Sequence, residues 1–232
     1  MKFENIKTVI FDMDGIIFDS EAAYIGCCRD VASGWGITFR EDVAIKCLGA
    51  TVERTKELIR EAYGDEFDTD RFWDDSFKLF MERYDKGRLP MKPGVNEILK
   101  FLSENGFGIA LASSTQEWAV RQELSDAGII DYFDRIVCGD MVTRSKPHPD
   151  IFLKAAELTS TDPADCMVIE DSFNGIRAAH AAGMHPVMVP DILQPDEEIR
   201  GMADFVAESL FDVKKLLAKG SFLCGEDRIA IR

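Results

Sequence analysis

From Pro93 onward, short apolar runs alternate with amphipathic segments of about 10–15 residues. Val95, Ile98, Leu99 and Leu102 mark a helix, and Phe107 to Ala112 reads as a buried strand. Thr115 to Ala127 reads as a helix closed by Gly128. Arg135 to Cys138 is a strand, Ile151 to Leu158 a helix, and Cys166 to Ile169 a strand. Gly175 to Ala182 is a helix closed by Gly183, and Pro186 to Val189 and Phe205-Val206 complete the strands. Alternation of this kind means βα units on a parallel sheet. The expected fold class is α/β, a doubly wound parallel sheet with a Rossmann-like core.

One strand stands apart from the rest. Thr8-Val9-Ile10-Phe11 is apolar and β-branched, and it ends in Asp12-Met13-Asp14-Gly15. Between it and the alternating part, Ser20 to about Gly87 is helical in pattern, with no convincing strand. Ser20 is placed to cap a helix running to Gly34, and Thr51 to cap a second one through Ile59. Phe72, Phe77, Phe80, Met81 and Tyr84 recur at helical spacing. The block is therefore an insertion, expected to form a small α-helical cap. The expected organisation is a core of residues 1–18 and 91–220, a cap of residues 19–90, and a tail of residues 221–232 without a clear pattern.

Of the 232 residues, 46% are hydrophobic and 30% charged, which excludes wholesale disorder. Size scaling puts about 70% of the unfolded surface inside such a chain, enough for a core without disulfide or metal staples. Lys plus Arg less Asp plus Glu is 27 − 42 = −15. Such a chain is a poor partner for nucleic acid and is repelled by anionic lipid. An anionic substrate must then be held by local cations. No apolar stretch approaches the roughly 20 residues of a membrane span. Met1 to Ile10 has no signal-peptide pattern. Cys27, Cys28, Cys47, Cys138, Cys166 and Cys224 form no C-x-x-C, and several lie in apolar segments, as reduced thiols do. A cytoplasmic monomer with no membrane or nucleic-acid partner is expected.

In an open α/β sheet, ligands bind beyond the carboxyl ends of the strands. Those ends supply Asp12 and Asp14, then Ser113, Ser114 and Thr115, and then Glu170 and Asp171. The loop after Cys138 adds Lys146, followed by Pro147. Asp12 and Asp14, two residues apart in an extended segment, leave the same face. Paired carboxylates suit one ionised nucleophile and one proton carrier, or simply end a strand in a polar turn. Glu170 and Asp171 add hard oxygen donors, which with Asp12 suit Mg²⁺, or else form an acidic turn that caps the next helix. Ser113 can donate to a phosphate oxygen or lie near the start of the helix at Thr115, with Ser114 as that helix's cap. Lys146 alone reads as readily as a solvated lysine.

The order Asp-x-Asp-Gly, Ser, Lys-Pro, Glu-Asp, each at or after a strand, resembles the haloacid dehalogenase-like hydrolase superfamily. The resemblance runs from Thr8 to about Leu217 and includes the helical insertion, which is similar to that superfamily's cap. Val9 to Gly15 and Ile169 to Ile176 resemble the beta-phosphoglucomutase-like branch, which also holds many small phosphatases. The resemblance implies Asp12 as nucleophile and Asp14 as general acid/base. It implies Ser113, Ser114 and Lys146 as phosphate-binding residues. It also implies a Mg²⁺ site at Asp12, the Asp14 backbone carbonyl and Asp171, with Glu170 in or near the shell. Dehalogenases of the superfamily lack the second Asp, so Asp14 favours phosphoryl transfer. A mutase of this branch carries a histidine on the first cap helix and a lysine before the cap glycine. Those positions are Tyr24 here and, with Gly49 as the cap glycine, Leu48; Arg54 lies near the mutase arginine but shifted. The expectation is a Mg²⁺-dependent phosphatase acting on a small phosphorylated metabolite, a phosphosugar or similar, through an aspartyl-phosphate. A phosphosugar mutase is the alternative. The cap's polar residues, Glu21, Thr51, Arg54 and Arg71 among them, face substrate or solvent, and the sequence leaves that choice open.

Overall fold

The computed structural model describes residues 3–48 and 52–223, with side chains through residue 218. Gly49, Thr51 and Cys224, and with them residues 224–232 of the expected tail, lie outside the described residues. The chain divides into two compact units, Met1–Ile17 with Met91–Arg232, and Phe18–Pro90.

The first unit is built on a parallel sheet. Its strands are β1 (Thr8–Phe11), β2 (Gly108–Ala112), β3 (Arg135–Val137), β4 (Cys166–Glu170), β5 (His185–Met188) and β6 (Phe205–Val206). Among the described residues the order is β3-β2-β1-β4-β5-β6. The strand order reverses direction between β1 and β4, and that switch point is where a crevice opens at the carboxyl ends of a doubly wound sheet. Phe11 pairs with Leu111 on one side and Ile169 on the other. Asp12 and Glu170 therefore emerge level with each other, with Ser113 one residue further along on the β2 side. The intervening helices are α5 (Val95–Glu104), α6 (Glu117–Asp126), α7 (Asp150–Thr159), α8 (Phe173–Ala181), α9 (Glu197–Met202) and α10 (Leu210–Leu223). Every residue of β1 and β4 is buried, as central parallel strands covered on both faces must be. Ile10 and Val168 pack with Phe152, Ala155 and Ala179 in one continuous cluster.

The second unit is helical: α1 (Ser20–Gly34), α2 (Glu41–Cys47), α3 (Val52–Tyr63) and α4 (Thr69–Tyr84). Ala32, Val43, Ile59 and Phe72 form its core, with Trp35 edge-on to Phe72 at 5.6 Å. Asp68 caps α4 by accepting from the Arg71 N–H at 3.1 Å.

Several local expectations are corrected. Ser20 is the first residue of α1, buried, and Asp19 is the N-cap, without a side-chain capping bond. The helix through Ile59 continues to Tyr63. The helical spacing of Phe72 to Tyr84 is that of α4, in which Thr69, Phe72 and Ser76 are buried while Phe77 and Met81 are exposed. The helix expected from Thr115 starts at Glu117, and neither Ser113 nor Ser114 caps it. Instead the Glu117 N–H is met by Asp140 Oδ1 at 3.2 Å. That acceptor is 23 residues distant, so local sequence cannot reveal it. Helix α10 runs through Lys219, where no pattern is legible. The described cysteines are free thiols. No helix among the described residues is long and apolar enough to cross a membrane.

The sheet's central strand gives the first prediction. Ile10 is fully buried between helices and neighbouring strands. Ile10→Ala removes buried methylenes and leaves a cavity, so it should cost about 2–5 kcal/mol in urea denaturation. An unchanged midpoint would contradict the packing described for β1.

Candidate active site

Each element contributes to the site through its carboxyl end. Asp12 follows β1 directly and is buried, and its N–H donates to Ile169 O at 3.0 Å. This bond continues the ladder one residue past the strand and fixes the Asp12 backbone between β2 and β4. Glu170 is the last residue of β4 and has no exposed surface. Its Oε2 accepts from the Ser172 N–H at 2.7 Å, so the carboxylate folds back onto the start of α8. Ser172 in turn caps α8 by accepting from Gly175 N at 3.0 Å.

Lys146 binds these strands together. It lies in the loop between β3 and α7, yet its side chain is only 7% exposed. Its Nζ donates to Asp12 Oδ1 at 2.6 Å, to Glu170 Oε1 at 2.7 Å and to Ala112 O at 3.2 Å. The Phe152 ring lies 4.9 Å beneath the ammonium. Lys146 is thus not a solvated lysine.

The remaining predicted residues fall as follows. Ser113 is fully buried, and its Oγ accepts from the Thr115 N–H at 3.1 Å. Ser114 is exposed. Asp14 is half-buried, and its Oδ2 accepts from Thr115 Oγ1 at 3.1 Å. Asp171 is buried, with its carboxylate directly over Gly15. Gly15 has φ +77°, and a Cβ there would overlap Asp171 Oδ2. Gly175 is equally constrained, because a Cβ would overlap the Glu170 carboxylate. Both glycines are positions where a carboxylate occupies the space of a side chain.

In the cap, the Tyr24 ring lies 5.8 Å from both Trp73 and Phe80. Leu48 ends α2. Arg54 pairs with Glu57 and Glu61 at 2.9 and 3.0 Å along its own helix. Arg71 lies over the Trp35 ring at 5.2 Å.

Thr115 is one of the strand-end hydroxyls, but its contacts are not legible in the sequence: it stands in the loop before α6 and bridges Ser113 to Asp14. Its hydroxyl in the run Ser113-Ser114-Thr115 was the available signal. Glu123 on α6 was missed. Burial pushes its carboxyl up to about 7, and the Asp14 charge adds to the effect.

The electrostatics follow from burial. Desolvation pushes Asp12 up to about 8; Glu170 and Asp14 add to this, while Lys146 opposes it. Burial by itself would lower Lys146, but the Asp12 and Glu170 carboxylates beside it raise it instead. A lysine between two carboxylates stays charged. Asp12, Glu170 and Asp171 offer ligand oxygens within 4.8 Å of one another, all on buried residues. Three carboxylates gathered in a dry place repel one another. Such a donor set fits a hard divalent cation.

Comparison with known proteins agrees with this chemistry. The family described as haloacid dehalogenase-like hydrolase matches residues 9–189. The chain is 31% identical over 220 residues to a phosphorylated carbohydrates phosphatase of Thermotoga maritima, covering 93% of this chain and 92% of the relative. It is 32% identical over 207 residues to a bifunctional riboflavin kinase/FMN phosphatase of Arabidopsis thaliana, covering 89% of this chain but 54% of that longer protein. A HAD-family hydrolase from Deinococcus radiodurans R1, crystallised with phosphate and sodium, superposes with a TM-score of 0.81 at 25% identity, over 94% of this chain and 97% of the other. With an acidic cluster at the switch point of its sheet and a helical insertion after β1, the chain belongs to the haloacid dehalogenase-like hydrolases, in the capped phosphatase branch, and is a phosphoric monoester hydrolase.

Proposed function

We propose that the protein is a Mg²⁺-dependent phosphatase of small phosphorylated metabolites, with phosphorylated carbohydrates the favoured class, and that it works through an aspartyl-phosphate on Asp12. The observation that carries the reading is the Lys146 ammonium shared between Asp12 and Glu170. It orients a buried carboxylate at the switch point of the sheet and supplies positive charge where a phosphoryl group would sit. The carbohydrate class rests on the Thermotoga relative, which this chain matches over nearly its full length.

In this reading Asp12 attacks phosphorus in line and the substrate alkoxide leaves. Asp14 gives that alkoxide a proton, then takes one from the water that attacks the acyl-phosphate. The Thr115 hydroxyl bond to Asp14 Oδ2 supports this role, because it fixes the carboxyl's orientation. Ser113 Oγ already accepts from the Thr115 N–H, so its own proton is left for a phosphoryl oxygen. Lys146 and the Ser114 backbone N–H complete the phosphoryl cradle. Asp12, Asp171 and the Asp14 carbonyl would hold Mg²⁺, with Glu170 at the edge of the set. When bound, Mg²⁺ keeps Asp12 ionised and offsets charge on the phosphoryl oxygens.

Three outcomes are expected. Asp12→Asn should lower phosphate release by about 10³-fold or more, since an amide does not attack phosphorus, while circular dichroism stays that of the folded chain. A folded variant with wild-type turnover would remove Asp12 from the reaction.

Chelation should stop hydrolysis and Mg²⁺ should restore it, with Asp171→Ala needing far more Mg²⁺ for half-activity. Excess Ca²⁺ should inhibit, because its longer and looser coordination misplaces the reacting groups. Full activity in excess chelator would end the metal reading.

A mutase needs a second anion site for a substrate that keeps one phosphate, and such sites use cationic side chains. Tyr24 and Leu48 carry no charge, and Tyr24 packs among aromatic rings. A hexose 1-phosphate with a trace of the 1,6-bisphosphate should therefore yield inorganic phosphate, followed by ³¹P NMR. Isomerisation faster than phosphate release would reverse the choice in favour of the mutase.

A further inference from the structure

The reaction above leaves one largely buried ion pair unused. Lys92 stands one residue inside the core unit, where the chain returns from the cap, and its N–H donates to Ile17 O at 2.9 Å. Its Nζ lies 2.5 Å from Asp191 Oδ1, on the loop after β5. The two side chains are 21% and 12% exposed. The second oxygen, Asp191 Oδ2, is buried and has no hydrogen-bond partner among the described residues.

A buried acceptor left unmatched is costly unless something not belonging to the chain meets it. The surroundings say what that is. Ligand atoms of Asp171 and Asp191 lie within 4.8 Å of each other. Carboxylates that close repel unless positive charge stands beside them. Asp191 is not part of the group formed by Asp12, Glu170 and Asp171, so it borders the acidic cluster rather than completing it. A small divalent ion such as Mg²⁺ keeps several waters, and those waters need fixed acceptors around the ligand set.

We propose that Asp191, held in place by Lys92, is a positioning residue for the divalent cation, its second oxygen accepting a hydrogen bond from the cation's hydration water. This rests on the cation site proposed above. Lys92 uses one Asp191 oxygen and thereby aims the other. The pair also ties the chain that returns from the cap to the loop beside Asp171. A purely structural pair would account for that tie, but not for the unmatched oxygen.

The test is direct binding of Mn²⁺ to chelator-treated protein, read from the electron paramagnetic resonance of free Mn²⁺ with no substrate present. Asp191→Asn should raise the Mn²⁺ dissociation constant by about 10–100-fold, the usual cost of losing a partner of this kind. The unfolding midpoint of the metal-free variant should stay near wild type, because the amide still offers Lys92 an acceptor. If Asp191→Asn does not fold, the double variant Lys92→Met/Asp191→Asn, which removes both buried charges, carries the same comparison. Mn²⁺ affinity within twofold of wild type in the folded variant overturns the role of Asp191 and leaves the pair as a structural tie. If the wild-type protein itself binds no Mn²⁺, the cation site falls, and this inference falls with it.

Discussion

A single ammonium holds the catalytic end of the sheet together. Lys146 Nζ lies 2.6 Å from Asp12 and 2.7 Å from Glu170, and it also reaches the Ala112 carbonyl. Its partners come from the ends of β1, β4 and β2, so the contact forms only when all three strands are paired in register. Desolvating these charges is expensive, and a buried ion pair is weak evidence of stability in itself. Removing one member is a different matter. Without Lys146, two carboxylates would be left buried and facing each other, which typically costs about 3–5 kcal/mol. The pairing is better understood as the price of holding a carboxylate oriented and dry.

Space is the second constraint, and it acts through what is missing. The Asp171 carboxylate occupies the room a Cβ on residue 15 would need, and the Glu170 carboxylate does the same at residue 175. Gly15 also adopts φ +77°, which L side chains rarely tolerate. The acidic residues of β4 therefore settle against two backbones without side chains, one after β1 and one in α8. Phe152 lies on the other side of Lys146, fully buried, and closes the cage with an aromatic face. Asp12, Lys146 and Glu170 are thus packed rather than solvated.

This explains which parts of the molecule were legible in the sequence. The strands read well because parallel strands covered on both faces are short apolar runs, and Thr8–Phe11 and Cys166–Glu170 are such runs. Asp12, Asp14, Lys146, Glu170 and Asp171 stood out because each ends or follows such a run, and the fold brings Asp12, Lys146 and Glu170 into contact. What failed was anything decided by contact between distant segments. Ser114 looked like a helix cap, but the α6 N-terminus is met by Asp140. Thr115 looked helical, but its hydroxyl is committed to Asp14, about a hundred residues earlier. Lys92 and Asp191, 99 positions apart, gave no local sign at all. Periodicity reports which face of an element is buried, but not which partner a polar group finds.

The same constraint bears on how so acidic a chain accommodates an anion. A net charge of −15 sets up a field that opposes the approach of a phosphate. At physiological ionic strength that field is screened over about 8 Å, so exposed acids such as those paired along α3 weigh little at the site. Inside it the balance is local, and there the effective dielectric is lower and each charge counts for more. Burial is the main cause of the upward push on Asp12 to about 8, with the Glu170 and Asp14 charges adding to it and Lys146 opposing it. A further positive partner beside Asp12 would favour its carboxylate form. The acidic cluster of Asp12, Glu170 and Asp171 suits a divalent cation, and a bound cation would supply the positive charge that an anion needs there.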